Sequence, residues 1–363
     1  MEEFYEHIVS YIDIVGLVHG ISLGTLLILL SKKNKKSTFF LGVFIIAYGL
    51  ELIPSILDDL KITEKHPQLL FLPLSFGWIL FPIFYLYIKN ISILPDQKRH
   101  HWVFIPGTLY LLAECIAFCQ PIETKQMLIE SVWLDIIDII EIIYFLFIGV
   151  FILNEIKKHR REVQNQYSST EYKELSWARF FILFSLFFIC LDFILFVFLD
   201  SSFPYVIISA INVILLFWIS LKGIFQNKVN LLTHETLNKD IALKAKQISD
   251  KEHYSDKIKL IENYLYTSKA YTNPDLTIID IANATGLHPR QVSRTINITK
   301  GYNFANLINR LRVEEAKSIL LTDRAEQLSM EGIGKDVGFN SKSSFYMAFK
   351  KHTKTTPHVF KNN

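Results

Sequence analysis

The chain has 363 residues, of which 50% are hydrophobic and 29 are Phe, with a formal net charge of +3. Its length suits about two domains. A soluble domain must bury its apolar side chains and rarely carries this many, which argues against an entirely soluble chain. The apolar residues crowd into the stretch from about Ile12 to Phe225, after which the chain turns polar and charged. That shift is the main domain boundary.

The chain opens on Met1-Glu2-Glu3-Phe4-Tyr5-Glu6, acidic where a cleavable signal needs basic charge, and its first apolar run is as long as a membrane span. It reads as a retained transmembrane helix. A helix needs about 20 mostly apolar residues to cross a bilayer core. Seven runs qualify, at 12–30, 39–57, 69–88, 102–118, 136–153, 180–199 and 205–225. Pro73 and Pro82 each remove a backbone donor from the third and could kink it.

The positions of Lys and Arg orient these spans. Thirteen fall after spans one, three and five: Lys32, Lys33, Lys35, Lys36, Lys89, Lys98, Arg99, Lys157, Lys158, Arg160, Arg161, Lys173 and Arg179. The opposite loops hold three: Lys61, Lys65 and Lys125. The expectation is a multi-pass cytoplasmic-membrane protein with its N-terminus outside and its C-terminus in the cytoplasm, surrounded by membrane lipid. The outer loops are short, which leaves no external sensor domain. Cys115, Cys119 and Cys190 sit in apolar runs and read as small buried side chains, not as disulfide partners or metal ligands.

Five acids fall within spans: Glu51, Glu114, Asp138, Glu141 and Asp192, joined by His19 and Asn212. Charges at mid-membrane cost about 2.5–3.5 kcal/mol on insertion scales, so they face the bundle interior and find partners. In one reading they line a cavity for a small-molecule or membrane signal, cationic or hydrogen-bonding. In the other they are protonated struts between helices. Asp138 and Glu141 are three apart and share a helix face.

From about Gln226 to Asp250 the chain is helix-permissive, with Leu237, Ile241, Ala245 and Ile248 in one apolar stripe. This connector reads equally as a homodimerising helix or as a solvated spacer. The domains are expected at 1–225 (seven spans), 226–254 (connector) and 255–363 (soluble tail).

The tail is helical in period. Thr277 is an N-cap candidate, Ile281 and Ala282 are apolar, Gly286 stands where a left-handed turn is needed, and Pro289 opens the next helix. That next helix buries Val292 and Ile296 and turns Arg290, Gln291, Ser293, Arg294 and Asn297 outward. Those side chains read base edges and grip phosphates. A short helix, a Gly turn and a polar second helix form a helix-turn-helix. An amphipathic segment from about Asn303 to Leu321 follows, and then the plan repeats. Ile333, Gly334, Val337, Gly338 and Phe339 match the first unit's Ile281, Ala282, Thr285, Gly286 and Leu287. Asn340, Ser341, Lys342, Ser343, Ser344, Tyr346, Lys350 and Lys351 are the polar set of a second recognition helix, with Phe345 and Phe349 buried beneath.

The tail resembles the DNA-binding domain of the AraC/XylS family of bacterial regulators. The resemblance rests on Ile281-Ala282, Gly286-Leu287-His288-Pro289, Arg310-Leu311 through Leu320-Leu321, Val337-Gly338-Phe339, Phe345 to Lys351 and Thr355-Thr356-Pro357. It implies two helix-turn-helix units on one linker helix, double-stranded DNA as partner, and DNA contacts that include His288. His288 replaces the family's usual Ser, Gly334 its Ala and Lys354 its Gly; the second change should loosen its helix by roughly 1 kcal/mol. The family's sugar-binding domain is absent and the spans stand in its place, similar to membrane-embedded AraC-type regulators. Charge agrees, since from Ser255 onward Lys and Arg number sixteen against ten acids.

The fold class is therefore all-α: a seven-helix transmembrane bundle followed by a soluble domain of two helix-turn-helix units joined by a linker helix. The function expected is a membrane-bound one-component transcription regulator, with a transporter carrying a regulatory tail as the alternative. No nucleotide loop, metal-ligand cluster or nucleophile–base pair stands out, so no enzyme, cofactor or metal is expected.

Overall fold

A computed structural model describes residues 2–31, 36–94, 101–171, 173–198, 203–226 and 251–362. They form two compact units, one of Met1–Lys157 with Leu175–Lys228, the other of Lys158–Glu174 with Val229–Asn363. All regular elements among the described residues are helices, beside one isolated bridge between Tyr167 and Thr277. The connector stripe from Leu237 to Ile248 lies outside the described residues.

The first unit begins with α1 (Glu2–Leu30), α2 (Lys36–Leu50) and α3 (Leu52–Asp59). α2 and α3 are one apolar run broken at Glu51. The break has a local cause: Pro54 has no N–H to return to the carbonyl of Leu50. α1 and α2 cross at backbone contact. Gly16, Gly20 and Gly24 recur every fourth residue on α1; a Cβ on Gly20 would lie 2.8 Å from the Cα of Gly49, and one on Gly24 2.8 Å from the carbonyl oxygen of Gly42. Small residues at this spacing let apolar helices approach closely.

After α4 (Ile62–Lys65) comes a 3-10 turn at Pro67–Leu69 and then α5 (Gly77–Ile91). The third expected span is thus shorter than its sequence pattern. Pro73 lies in irregular chain before the helix, and only Pro82 lies within it. At 15 residues α5 is about 22 Å long, below the roughly 30 Å of a bilayer core. The buried Lys125 of α7 (Ile122–Ile129) satisfies the irregular chain, donating to the carbonyls of Gln68 at 2.8 Å and Leu70 at 3.0 Å. Between them lies α6 (Ile105–Phe118); α8 (Val132–Gln166), α9 (Ser176–Phe198) and α10 (Phe203–Phe225) follow.

Among the described residues, six helical runs are long and apolar enough to cross a membrane: Glu3–Leu30, Lys36–Asp59, His101–Phe118, Val132–Gln166, Ser176–Leu195 and Phe203–Gly223. The core of the unit is aromatic, with Phe44, Phe84 and Phe181 fully buried and their rings 4.8–5.9 Å apart. The outer faces are apolar too, with Ile139, Ile140, Ile143 and Val150 of α8 and Leu109, Leu112 and Ile116 of α6 all exposed. The burial expected for the three cysteines fails for this reason. Cys115, Cys119 and Cys190 are exposed free thiols rather than buried ones, because in this unit an apolar neighbourhood does not mean the interior.

The second unit holds α11 (Lys251–Ser268), α12 (Ile278–Thr285), α13 (Pro289–Lys300), α14 (Phe304–Leu320), α15 (Arg324–Gln327), α16 (Met330–Asp336), α17 (Lys342–Thr353) and α18 (Pro357–Lys361). It has two cores. Ile261, Leu265, Ile281, Val292 and Ile296 meet the first half of α14 at Phe304 and Ile308. Ile333, Val337, Phe345 and Phe349 meet its second half at Val313 and Ala316. One helix thereby carries both sub-domains. At its middle, Arg312 is 1% exposed and donates from Nε to the carbonyl of Tyr271 at 2.6 Å and from Nη2 to that of Asn273 at 2.8 Å. Burial pushes its guanidinium down to about 10, which leaves it charged at neutral pH.

Candidate nucleic-acid interface

Each helix-turn-helix is built by its caps. Thr277 accepts from the N–H of Asp280, whose carboxylate accepts from the N–H of Thr277 at 2.7 Å, a capping box that starts α12. Gly286 ends α12 with a left-handed φ of +68°. At the start of α13, Nδ1 of His288 accepts from the N–H of Arg290 at 3.3 Å, and Gln291 Oε1 accepts from the N–H of His288 at 3.2 Å. The imidazole thus does the capping job of the serine it replaces, and Pro289 occupies the first helical position. The exposed side of α13 carries Arg290, Gln291, Arg294 and Asn297; Ser293 is half-buried beside them. Val292, Thr295 and Ile296 face inward.

In the second unit Ser329 caps α16, and Gly338 turns the chain with φ +98°. Ser341 caps α17, its Oγ accepting from the N–H of Ser344 at 3.1 Å while Ser344 Oγ accepts from the N–H of Ser341 at 3.3 Å. Asn340, Lys342, Ser343 and Lys350 are exposed, while Ser341, Ser344 and Tyr346 are half-buried. Gly334, expected to loosen α16, has a packing reason: a Cβ there would lie 3.0 Å from the ring of Phe345. Lys354, standing where glycine is usual, keeps the left-handed turn with φ +66°.

The structure also brings to these helices a group that sequence reasoning missed. Residues 164–171, beginning in the last turn of α8, belong to this second unit. Gln164 accepts from Asn303 at 3.0 Å, Asn165 from Asn297 at 3.4 Å and Ser169 from Asn340 at 3.0 Å. Ser341 Oγ donates to the Glu171 carboxylate at 2.8 and 3.0 Å. No sequence signal beyond the polar run Gln164-Asn165-Gln166 marks the segment.

The membrane acids are partly gathered. Glu51 and Glu141 line a cavity of about 270 Å³ in the first unit, with Tyr48, Ser185, Asn212 and several Phe rings. They converge on Gly77, where a Cβ would lie 2.7 Å from Glu141 Oε1 and 3.2 Å from Glu51 Oε1. Glu114 is buried beside Ser75 and is not among the cavity's lining residues. Asp138 is exposed and takes no part in the cavity, because the narrow face of α8 that lines it carries Glu141 and Phe145. The side chain of Asp192 lies outside the described residues. His19 stacks on Phe217 with ring centroids 3.6 Å apart. Among the described residues no cluster of His, Cys, Asp and Glu could hold a metal ion.

Comparison with known proteins bears on the second unit. A family described as a helix-turn-helix domain matches residues 281–363. An uncharacterised HTH-type transcriptional regulator in the cgkA 5′ region of Pseudoalteromonas carrageenovora is 29% identical over 116 residues. That match covers 31% of this chain and 66% of the relative, just under two thirds of its length. Among solved structures, the C-terminal domain of AraT, a response regulator from Geobacillus stearothermophilus, is 27% identical with a TM-score of 0.25, over 28% of this chain and 84% of that one. The C-terminal domain of the two-component response regulator yesN from Fusobacterium nucleatum is 26% identical with a TM-score of 0.26, over 29% and 98%.

Proposed function

We propose that this chain, which ends in an AraC-type helix-turn-helix domain, is a membrane-bound one-component transcription regulator that couples a signal at its apolar unit to sequence-specific promoter binding. The observation that carries the DNA-binding part is the pairing of two capped helix-turn-helix units on the single helix α14, each with basic side chains exposed on its second helix. Two such helices suit successive major grooves about 34 Å apart.

Arg290 and Arg294 on α13 and Lys342 and Lys350 on α17 are the proposed contacts that matter most, with His288, Gln291, Ser293, Asn297, Asn340, Ser341, Ser343, Ser344 and Tyr346 around them. A gel shift of the full-length protein with its own upstream DNA tests this. Arg294→Ala should weaken the specific complex by roughly tenfold or more, the size of one base contact. Equal retention of all sequences by the native protein, at a fixed salt concentration, would count against the reading.

The membrane part is supported by the apolar exterior of the first unit, since contiguous apolar surface on that scale is not left in water. The positive-inside count supports a cytoplasmic tail. The signal site proposed is the cavity at Gly77, where two carboxylates, Asn212, Ser185 and a ring of Phe side chains suit a hydrogen-bonding or cationic small molecule. Glu141→Ala should change the response of a target promoter without changing the amount of protein in the membrane. An unchanged response would remove the cavity from the account.

A further inference from the structure

We infer that residues 164–171 are an intramolecular competitor of DNA, which occupies the N-terminal cap of α17 and Asn297 of α13 until it is displaced. The inference rests on the DNA-binding reading of the second unit.

The segment is anchored, not merely adjacent. Tyr167 and Ser168 are 7% and 1% exposed. The N–H of Ser168 donates to the carbonyl of Leu276 at 3.2 Å, and its Oγ accepts from Nη2 of the buried Arg312 at 3.2 Å. From that anchor the chain reaches out in both directions to groups offered for DNA. Asn165 occupies Asn297, Ser169 occupies Asn340, and Glu171 occupies Ser341. Three proposed contact residues are spent on protein.

The chemistry of the last contact is the telling one. A carboxylate sits at the N-cap of a 12-residue recognition helix and receives the Ser341 hydroxyl through both its oxygens. Helix N-termini attract anions through their free N–H groups and dipole. Hydroxyls and N–H groups at helix N-termini are the donors that DNA-binding proteins aim at backbone phosphates. Glu171 therefore takes a place that a phosphate would fill. Meanwhile Arg290, Arg294, Lys342 and Lys350 stay exposed. The long-range attraction for DNA is left intact, while the hydrogen-bonding groups of Asn297, Asn340 and Ser341 are engaged by protein. The competitor also has a release handle. Residues 164–166 are the last residues of α8, whose preceding apolar run is a candidate membrane span, so a shift of that helix moves the segment directly.

The test uses the full-length protein in nanodiscs and labelled duplexes of about 40 base pairs tiling its own upstream DNA, each long enough for two successive grooves. Two variants leave the Tyr167–Ser168 anchor in place. Asn165→Ala with Ser169→Ala removes contacts without changing charge, and Glu171→Gln removes the anion. Asp256→Asn, an exposed acid on α11, controls for the charge lost. Loss of competing contacts should tighten binding about fivefold to tenfold in each of the first two, against less than twofold in the control. Equal tightening by Glu171→Gln and Asp256→Asn, with no change in the neutral double variant, would overturn the masking while leaving the DNA-binding reading intact. Failure of every form to retain duplex overturns that reading, and this inference with it.

Discussion

Gly338 has φ +98°, and a Cβ there would lie 2.6 Å from the carbonyl oxygen of Thr272. Both conformation and space demand glycine. Gly338→Ala should lower the stability of the second unit by about 2 kcal/mol or more, seen as a lower unfolding midpoint. Lys354 is the opposite case: it holds a left-handed φ of +66° that costs an L-residue roughly 1–2 kcal/mol. Lys354→Gly should raise the same midpoint by about 1 kcal/mol, and a fall would show that the lysine side chain contributes something the cap geometry does not reveal. Turn glycines were legible because their demand is local: Gly286 and Gly338 each follow a short apolar run and precede a polar helix. Arg312 was not legible. In sequence it is one basic residue among Arg310, Glu314 and Glu315, and only the return of the chain at Tyr271 and Asn273 supplies the carbonyls that bury it.

At the scale of the element, α1 and α2 are joined by glycine. Gly20→Val should push them apart, since its added carbons meet the backbone of Gly49 and Ile45 rather than a mobile side chain. The expected cost is at least about 1–3 kcal/mol of overpacking, read as a lower melting temperature of the detergent-solubilised protein. An unchanged melting temperature would mean that the two helices do not cross there. The four-residue repeat of Gly16, Gly20 and Gly24 is visible in the sequence, but hydropathy alone says nothing of helix partners. The same holds for α5, whose apolar pattern reads as a full span. Its shortening depends on Pro73 lying outside the helix and on Lys125, far along the chain, satisfying the carbonyls of Gln68 and Leu70. The cap of α12 was legible in Thr277, because it is closed by residues three apart; those of α13 and α17 are as local, but His288 and Ser341 were read only as DNA contacts.

At the scale of the molecule, the proposed topology makes a direct prediction. A fluorescent protein that matures only in the cytoplasm, fused after Asn363, should fluoresce, and one fused before Met1 should not. A dark C-terminal fusion at normal protein level would remove the compartment that DNA binding needs. The two units differ in how apolar side chains are read. In the second, periodicity predicts burial, and Ile281, Val292, Ile296, Phe345 and Phe349 are all in its cores. In the first, apolar residues lie on both faces of the helices, so periodicity separates inside from outside poorly, as the exposed cysteines show.

The amino-acid order alone determined the helical class, the apolar runs, the glycine turns of both helix-turn-helix units and the Thr277 cap of the first. Each of these follows from backbone preference and hydrophobic period within a few residues. Tertiary structure alone decided that Glu51 and Glu141 meet at Gly77, that Arg312 is enclosed, and that residues 164–171 reach Asn297, Asn340 and Ser341. Those contacts join residues tens to well over a hundred positions apart. No local propensity encodes such a pairing, because it exists only once the intervening helices have packed.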